Sequence, residues 1–260
     1  MTFGCTPKRE VEQYIHLGIK FNEPPTVVVT PEWRGSNRNV GHAETIDTIA
    51  DDHFYVASNN AASSGYFVNW IAIGNADGRS GIPREIRSDD MLLERGRFDK
   101  AVVQPRAVRF GSFFPSASGL RLPSIQLSPH WRRQHQGVGG EETITRSGGA
   151  MFFAESGNAA PNFGVNWLAI GSQSGTRTSF ELPNDRLLQI GIANKTTAAT
   201  RVTFPQPFRE TAAVVATPAW SRPVGHAETL SGFDRDGFDL ISGNAAPDYQ
   251  VHWIAVGRRV

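Results

Sequence analysis

Cysteine is almost absent: Cys5 is the only one in 260 residues. No internal disulfide can staple the chain, so its stability must come from apolar burial and strand pairing. An excess of charge of either sign is also lacking. Lys and Arg total 26 against 25 Asp and Glu, which leaves no long-range field to draw the chain to phosphates or to an anionic surface. Nucleic acid is therefore not an expected partner. Long apolar runs are missing too: the start, Met1 to Glu10, is polar and carries Lys8 and Arg9, and no later stretch is long enough to cross a bilayer. The expectation is cytoplasmic synthesis without a signal peptide or membrane insertion, with release by a non-classical route left open. No Gly-rich phosphate loop, Gly-x-Ser-x-Gly elbow or His-Glu-x-x-His helix occurs, so neither an enzyme nor a cofactor is expected. Cys5 has no evident His partner and reads as an incidental thiol near the terminus.

What is present is a threefold repeat. All six tryptophans fall at two equivalent places in it. The first is Pro31-Glu32-Trp33, Pro129-His130-Trp131 and Pro218-Ala219-Trp220; the second is Trp70-Ile71-Ala72-Ile73-Gly74, Trp167-Leu168-Ala169-Ile170-Gly171 and Trp253-Ile254-Ala255-Val256-Gly257. A residue that recurs in every copy is expected to hold up the unit, and one that varies to tune it. Each copy, with its connector, has about 75 to 95 residues, within the range of a small domain. The units are placed at 1–76, 88–172 and 183–260, with the polar stretches Asn75 to Arg87 and Ser172 to Thr178 as boundaries.

Within a copy the apolar runs are short, rich in Val, Ile and Phe, and separated by Gly, Pro, Asn or Ser, which is the pattern of strands joined by turns. No helix is expected. The first copy reads as strands over Tyr14 to Phe21, Thr26 to Thr30, Val40 to Ile49, His53 to Ala57 and Tyr66 to Gly74, and the other two follow it. The connectors Asp90 to Gly96 and Asp185 to Gly191 resemble each other, and each is expected to add a further short strand. The fold class is all-β: three tandem six-stranded antiparallel sandwiches.

Three sets of residues are candidates for chemistry. Val40-Gly41-His42-Ala43-Glu44-Thr45 recurs as Val224-Gly225-His226-Ala227-Glu228-Thr229 and, altered, as Val138-Gly139-Gly140-Glu141-Glu142-Thr143. As a strand it would put His42 and Glu44 on one face. The cluster His42, Glu44, Glu142, His226 and Glu228 could then meet on a pseudo-threefold axis around a metal or water, or each pair could serve its own strand surface. The second set is the loop before the last strand, with Asn59, Asn60 and Tyr66, then Asn158, Asn162 and Phe163, then Asn244, Asp248 and Tyr249. Amides beside an aromatic ring suit a sugar, while Asn and Gly equally serve a turn. Third, Trp33, Trp131 and Trp220 precede polar loops and are secondary candidates as sugar platforms. Trp70, Trp167 and Trp253 sit among Val and small residues, as core positions do.

The series Ile19-Lys20-Phe21, Pro24-Pro25, Val27-Val28-Val29, Phe54-Tyr55-Val56 and Val68-Asn69-Trp70-Ile71-Ala72-Ile73-Gly74 resembles the H-type lectin domain of snail agglutinins and discoidins, and it recurs in the other copies. That family forms six-stranded sandwiches that assemble as trimers and bind galactose or N-acetylgalactosamine between subunits. The resemblance implies an intrachain pseudo-trimer and a multivalent lectin for terminal galactose-type glycans, capable of further homo-oligomerisation. Its sugar contacts map to the loops Asn59 to Tyr66, Gly157 to Phe163 and Gly243 to Tyr249, and to the neighbourhood of His42, Gly140 and His226. A structural or adhesion module, such as part of a fibre, is the alternative from a different class.

Overall fold

In the computed structural model, which describes residues 1–35, 38–62, 64–75, 85–115, 121–210 and 212–260, every regular element is a strand. The first copy contributes β1 (Thr2–Pro7), β2 (Glu12–His16), β3 (Thr26–Trp33), β4 (Thr45–Ile49), β5 (His53–Ala57) and β6 (Tyr66–Ile73). The second has β7 (Glu85–Ser88), β8 (Met91–Asp99), β9 (Arg106–Arg109), β10 (Ser124–Trp131), β11 (Thr143–Ser147), β12 (Met151–Glu155) and β13 (Phe163–Ser172). The third has β14 (Ser179–Leu182), β15 (Arg186–Asn194), β16 (Ala199–Thr203), β17 (Ala213–Ala219), β18 (Thr229–Ser231), β19 (Gly237–Ile241) and β20 (Gln250–Arg258). No helix occurs among the described residues. Most of the boundary stretch 75–87 lies outside them.

Each copy is a sandwich of two half-sheets, and each half-sheet continues into a different neighbour. One sheet runs β1-β6-β3-β18-β19-β16, the second β2-β5-β4-β10-β13-β8-β7, and the third β14-β15-β20-β17-β11-β12-β9. Within a copy the pairing is antiparallel; the joins between copies are short parallel bridges, Glu32 to Leu230, Ile46 to His130 and Ile144 to Ala219. The three copies thus form a closed ring in which every sheet is shared, and the inner edges that a lone sandwich would expose are paired.

Side-chain alternation divides the apolar residues between two kinds of core. One face of the strands fills the sandwich of each copy; in the first copy Ile15, Phe21, Val27, Ile46, Phe54, Val68 and Trp70 pack together. The opposite face of the inner strands fills a core common to all copies, where Val28 and Ile71 meet Leu168 and Ile170, and Val215 and Ile254. Trp70, Trp167 and Trp253 are buried, at 5%, 2% and 4% exposure. The strand beside each one carries a glycine under the indole: a Cβ at Gly4 would lie 2.7 Å from Trp70, and one at Gly96 2.9 Å from Trp167. Gly191 meets Trp253 in the same way.

Two of the sequence expectations are overturned. The polar start of the chain is a strand, β1, paired along its length with β6 from Thr2↔Ala72 to Pro7↔Phe67. Cys5 accordingly sits in a sheet, with Sγ 3.1 Å from Glu32 Oε2, and burial pushes its thiol pKa up strongly, with Glu32 adding to the shift. The segments Val40 to Glu44, Val138 to Glu142 and Val224 to Glu228 are irregular, and strands begin only at Thr45, Thr143 and Thr229. Their backbone groups go to side chains instead of to a ladder. Val40 N donates to Thr229 Oγ1 at 3.0 Å, Val138 N to Thr45 Oγ1 at 2.9 Å, and Val224 N to Thr143 Oγ1 at 3.1 Å. Each bond crosses from one copy to the next.

Candidate functional site

Under each Asn loop lies the same buried polar assembly. In the first copy Lys8, at the end of β1, donates from Nζ to Ser58 O at 3.3 Å, to Ser58 Oγ at 3.1 Å and to the Asn60 carbonyl. Ser58 Oγ donates to Glu44 Oε1 at 2.7 Å, and the Tyr66 hydroxyl donates to the same oxygen. Asn60 Nδ2 donates to the His42 carbonyl at 2.7 Å. The third copy repeats this with Lys195, Ser242, Glu228, Asn244 and Tyr249, whose hydroxyl lies 2.6 Å from Glu228 Oε1. The middle copy has Lys100, Ser156, Glu142 and Asn158, but Phe163 replaces the tyrosine. There Lys100 Nζ closes directly on the carboxylate, at 3.1 and 3.2 Å; in the other copies the Lys–Glu separations are 3.8 and 3.9 Å.

A buried carboxylate is tolerated when it is paired and hydrogen-bonded, and this assembly supplies both. Burial raises the pKa of Glu44 and Glu228 above the usual carboxylate value, opposed chiefly by Lys8 and Lys195. Burial lowers the pKa of those two lysines, opposed by their glutamates. Glu141 stands where the other copies have the buried Ala43 and Ala227. Its pKa is raised well above normal by burial and then by the charges of Glu142, Glu228 and Glu44.

The structure therefore places the candidate residues in different roles. Tyr66, Phe163 and Tyr249 are buried to 1% exposure or less. Asn60, Asn158 and Asn244 are half-buried, with the side-chain amide spent on the carbonyl of His42, Gly140 or His226. Asn59, Asn162, Asp248 and His226 are exposed, and His42 is half-buried. Asn162 has φ of 62°, the left-handed turn conformation that Asn tolerates well. The glutamates are held by the lysine of their own copy, so the cluster of His42, Glu44, Glu142, His226 and Glu228 is not drawn together as metal ligands. Among the described residues the His and carboxylate atoms that converge within 4.8 Å are those of Glu12, Asp47 and His135. Asp47 there already accepts the backbone N–H groups of Gln134 and His135, at 2.7 and 3.0 Å, so the group works as a clasp for that loop.

Beside each loop stands a half-exposed tryptophan. Trp33 packs 5.5 Å from Tyr66, Trp131 6.2 Å from Phe163 and Trp220 5.8 Å from Tyr249, ring centre to ring centre. Trp220 Nε1 donates to Asp248 Oδ1 at 3.0 Å, which fixes the indole, and the Arg222 guanidinium lies 4.0 Å over its ring. Arg38 lies 5.7 Å over Trp33. In the middle copy Trp131, Val138, Asn158, Ala159, Ala160 and Phe163 line an open cavity of about 200 Å³.

The recurring lysine and serine were missed in the sequence. The Ser-x-Asn triplets Ser58 to Asn60, Ser156 to Asn158 and Ser242 to Asn244 carried a signal; the lysines vary in their distance from the glutamates, but each stands four positions after the glycine under its core tryptophan, as Gly4 and Lys8, Gly96 and Lys100, and Gly191 and Lys195, and that spacing marked them. Compared with known protein families and with curated proteins, the chain matches no family model and no curated sequence.

Proposed function

We propose that this chain is a non-catalytic carbohydrate-binding protein with three equivalent sites, each a half-exposed tryptophan beside an Asn-Ala-Ala loop. The observation that carries the reading is the recurrence of Trp33, Trp131 and Trp220 at the surface, each braced by the buried ring of its own loop. An indole that is buried on one side and reached by solvent on the other is a stacking platform for the apolar face of a pyranose; at Trp220 the sugar takes the place of the Arg222 guanidinium that lies 4.0 Å over the ring. The Asn-Ala-Ala loop offers backbone groups held rigid by the lysine–glutamate assembly beneath it, and rigid loops lose little entropy on binding. The galactose or N-acetylgalactosamine class follows from the H-type lectin resemblance. Three weak sites on one rigid ring gain avidity on a multivalent surface by factors on the order of a hundred or more.

The test is a glycan array with the intact chain, followed on any hit by Trp33→Ala, Trp131→Ala and Trp220→Ala singly and together. Selective binding that weakens stepwise supports the reading; a blank array with folded protein overturns it. A second reading, a structural or adhesion module, is favoured by the internal use of the Asn amides and Tyr hydroxyls. Higher-order particles in light scattering that no sugar disperses would favour it.

A further inference from the structure

The junction between the first and second copies differs from the other two in a concerted way. On the second copy's face, Arg97, His130 and Gly164 occupy positions held by Cys5, Glu32 and Phe67 in the first copy and by Ile192, Ala219 and Gln250 in the third. The three changes fit together. A Cβ at Gly164 would lie 2.6 Å from Arg97 Nε, so the absence of a side chain there makes room for the guanidinium.

The result is a cavity of about 370 Å³ lined by Arg97, His130, Arg132 and Arg133 of the second copy and by Pro25 and Ile49 of the first, among others. His130 is 4% exposed, and its Nε2 has no hydrogen-bond partner; Arg97 Nε is buried without one as well. Asn166 donates its Nδ2 to Val27 O at 3.0 Å, so its Oδ1, 3.3 Å from His130 Nδ1, accepts the proton on that nitrogen. The His130 Nε2 lone pair is then left as an acceptor. The ring is kept neutral by burial and next by Arg97, with Asn166 and the Asp47 backbone opposing, and its pKa falls to about 4.

Charge around the cavity is unbalanced. Arg132 and Arg97 repel each other enough to contribute to the lowering of the Arg97 pKa, after burial. Arg97 pairs with Asp99, which is 86% exposed. The one carboxylate in the lining, Asp47, is already met by two backbone N–H groups and the Thr48 hydroxyl at 2.8 Å. Guanidinium groups gathered around a cavity match a planar carboxylate, the bare Nε2 calls for a hydroxyl donor, and the proline and isoleucine wall suits carbon. Hydrogen phosphate could offer Nε2 its one hydroxyl, but it has no carbon to set against the proline and isoleucine wall, so it fills less of the cavity.

We propose that this junction is a binding pocket for a small hydroxylated carboxylate of the sugar-acid class, with Arg97 and Arg132 taking the carboxylate and His130 Nε2 a hydroxyl. It is a single site, apart from the three tryptophan loops and independent of the reading given to them.

The probes are D-glucuronate, D-glucose and inorganic phosphate, titrated into the intact chain by calorimetry. Arg97→Ile and His130→Ala give the second copy the residues that the third carries at these positions, and Arg132→Gln tests the pocket from its exposed loop without touching the core. The expected result is one-to-one glucuronate binding that weakens at least tenfold in each variant, no heat with glucose, and phosphate at least tenfold weaker than glucuronate. Arg258→Gln, at an exposed arginine of the third copy outside this junction, should leave it unchanged. Absence of saturable glucuronate binding, binding that survives the Arg97 and Arg132 changes, or phosphate binding as tight as glucuronate would overturn the proposal.

Discussion

Thr229 Oγ1 accepts the backbone N–H of Val40 at 3.0 Å, and with that bond the third copy closes on the first. The same bond joins Thr45 to Val138 and Thr143 to Val224, so the motif that looked like a strand carrying chemistry is the clasp between copies.

Removing one hydroxyl should loosen the ring. Thr229→Val keeps the shape of the side chain but leaves the Val40 N–H buried and unpaired, at a cost of about 1–3 kcal/mol. Denaturant titration of Thr229→Val beside Thr229→Ser, which keeps the acceptor, checks this; an equal loss in both would point to packing instead.

Glu141 is expected to cost stability. Its carboxyl titrates near the ordinary value when unfolded and well above it when folded. The unfolded state therefore releases this proton first, and the Glu141 contribution falls as pH rises from the ordinary carboxylate range toward the folded pKa. Glu141→Ala, the residue of the other two copies, should gain on the order of 1–3 kcal/mol at pH 8 and far less at pH 4. Thermal melts of both proteins across that range would show it, and a gain that is the same at both pH values would argue against the mechanism.

The glycines under the core tryptophans should tolerate no side chain. Gly191→Ala drives a methyl into the Trp253 indole and should cost about 1–3 kcal/mol through overpacking. Gly139→Ala, where nothing lies within 4 Å of the new Cβ, is the control by urea unfolding.

Tyr249 and Phe163 form a natural exchange experiment. Tyr249→Phe takes a donor from Glu228 Oε1, which keeps Ser242 at 2.5 Å, and should cost about 1–3 kcal/mol. Phe163→Tyr in the middle copy should not return that stability, because Lys100, Ser156 and Asn158 already donate to Glu142 Oε1 at 3.2, 2.5 and 3.3 Å. Chemical melts of both variants check this; a gain in Phe163→Tyr equal to the loss in Tyr249→Phe would show that the lysine gives way to the hydroxyl.

The repeat, the all-β class and the buried position of Trp70, Trp167 and Trp253 were legible in the chain itself. Periodicity and turn residues are local signals, and three copies repeat them.

Which strand pairs with which was decided only by the tertiary structure. The parallel bridges from β3 to β18, β4 to β10 and β11 to β17 join residues up to 198 positions apart (230 − 32), and nothing in a strand's own sequence says whose edge it will meet. The polar start of the chain became β1 because the free edge of β6 pairs with its backbone, whatever its side chains. The same holds for Glu44. Beside apolar neighbours in sequence it read either as a ligand on a pseudo-threefold axis or as part of a strand surface; in the fold, Lys8 from 36 positions earlier (44 − 8) lies 3.8 Å away, and that long-range pairing decides what the carboxylate does.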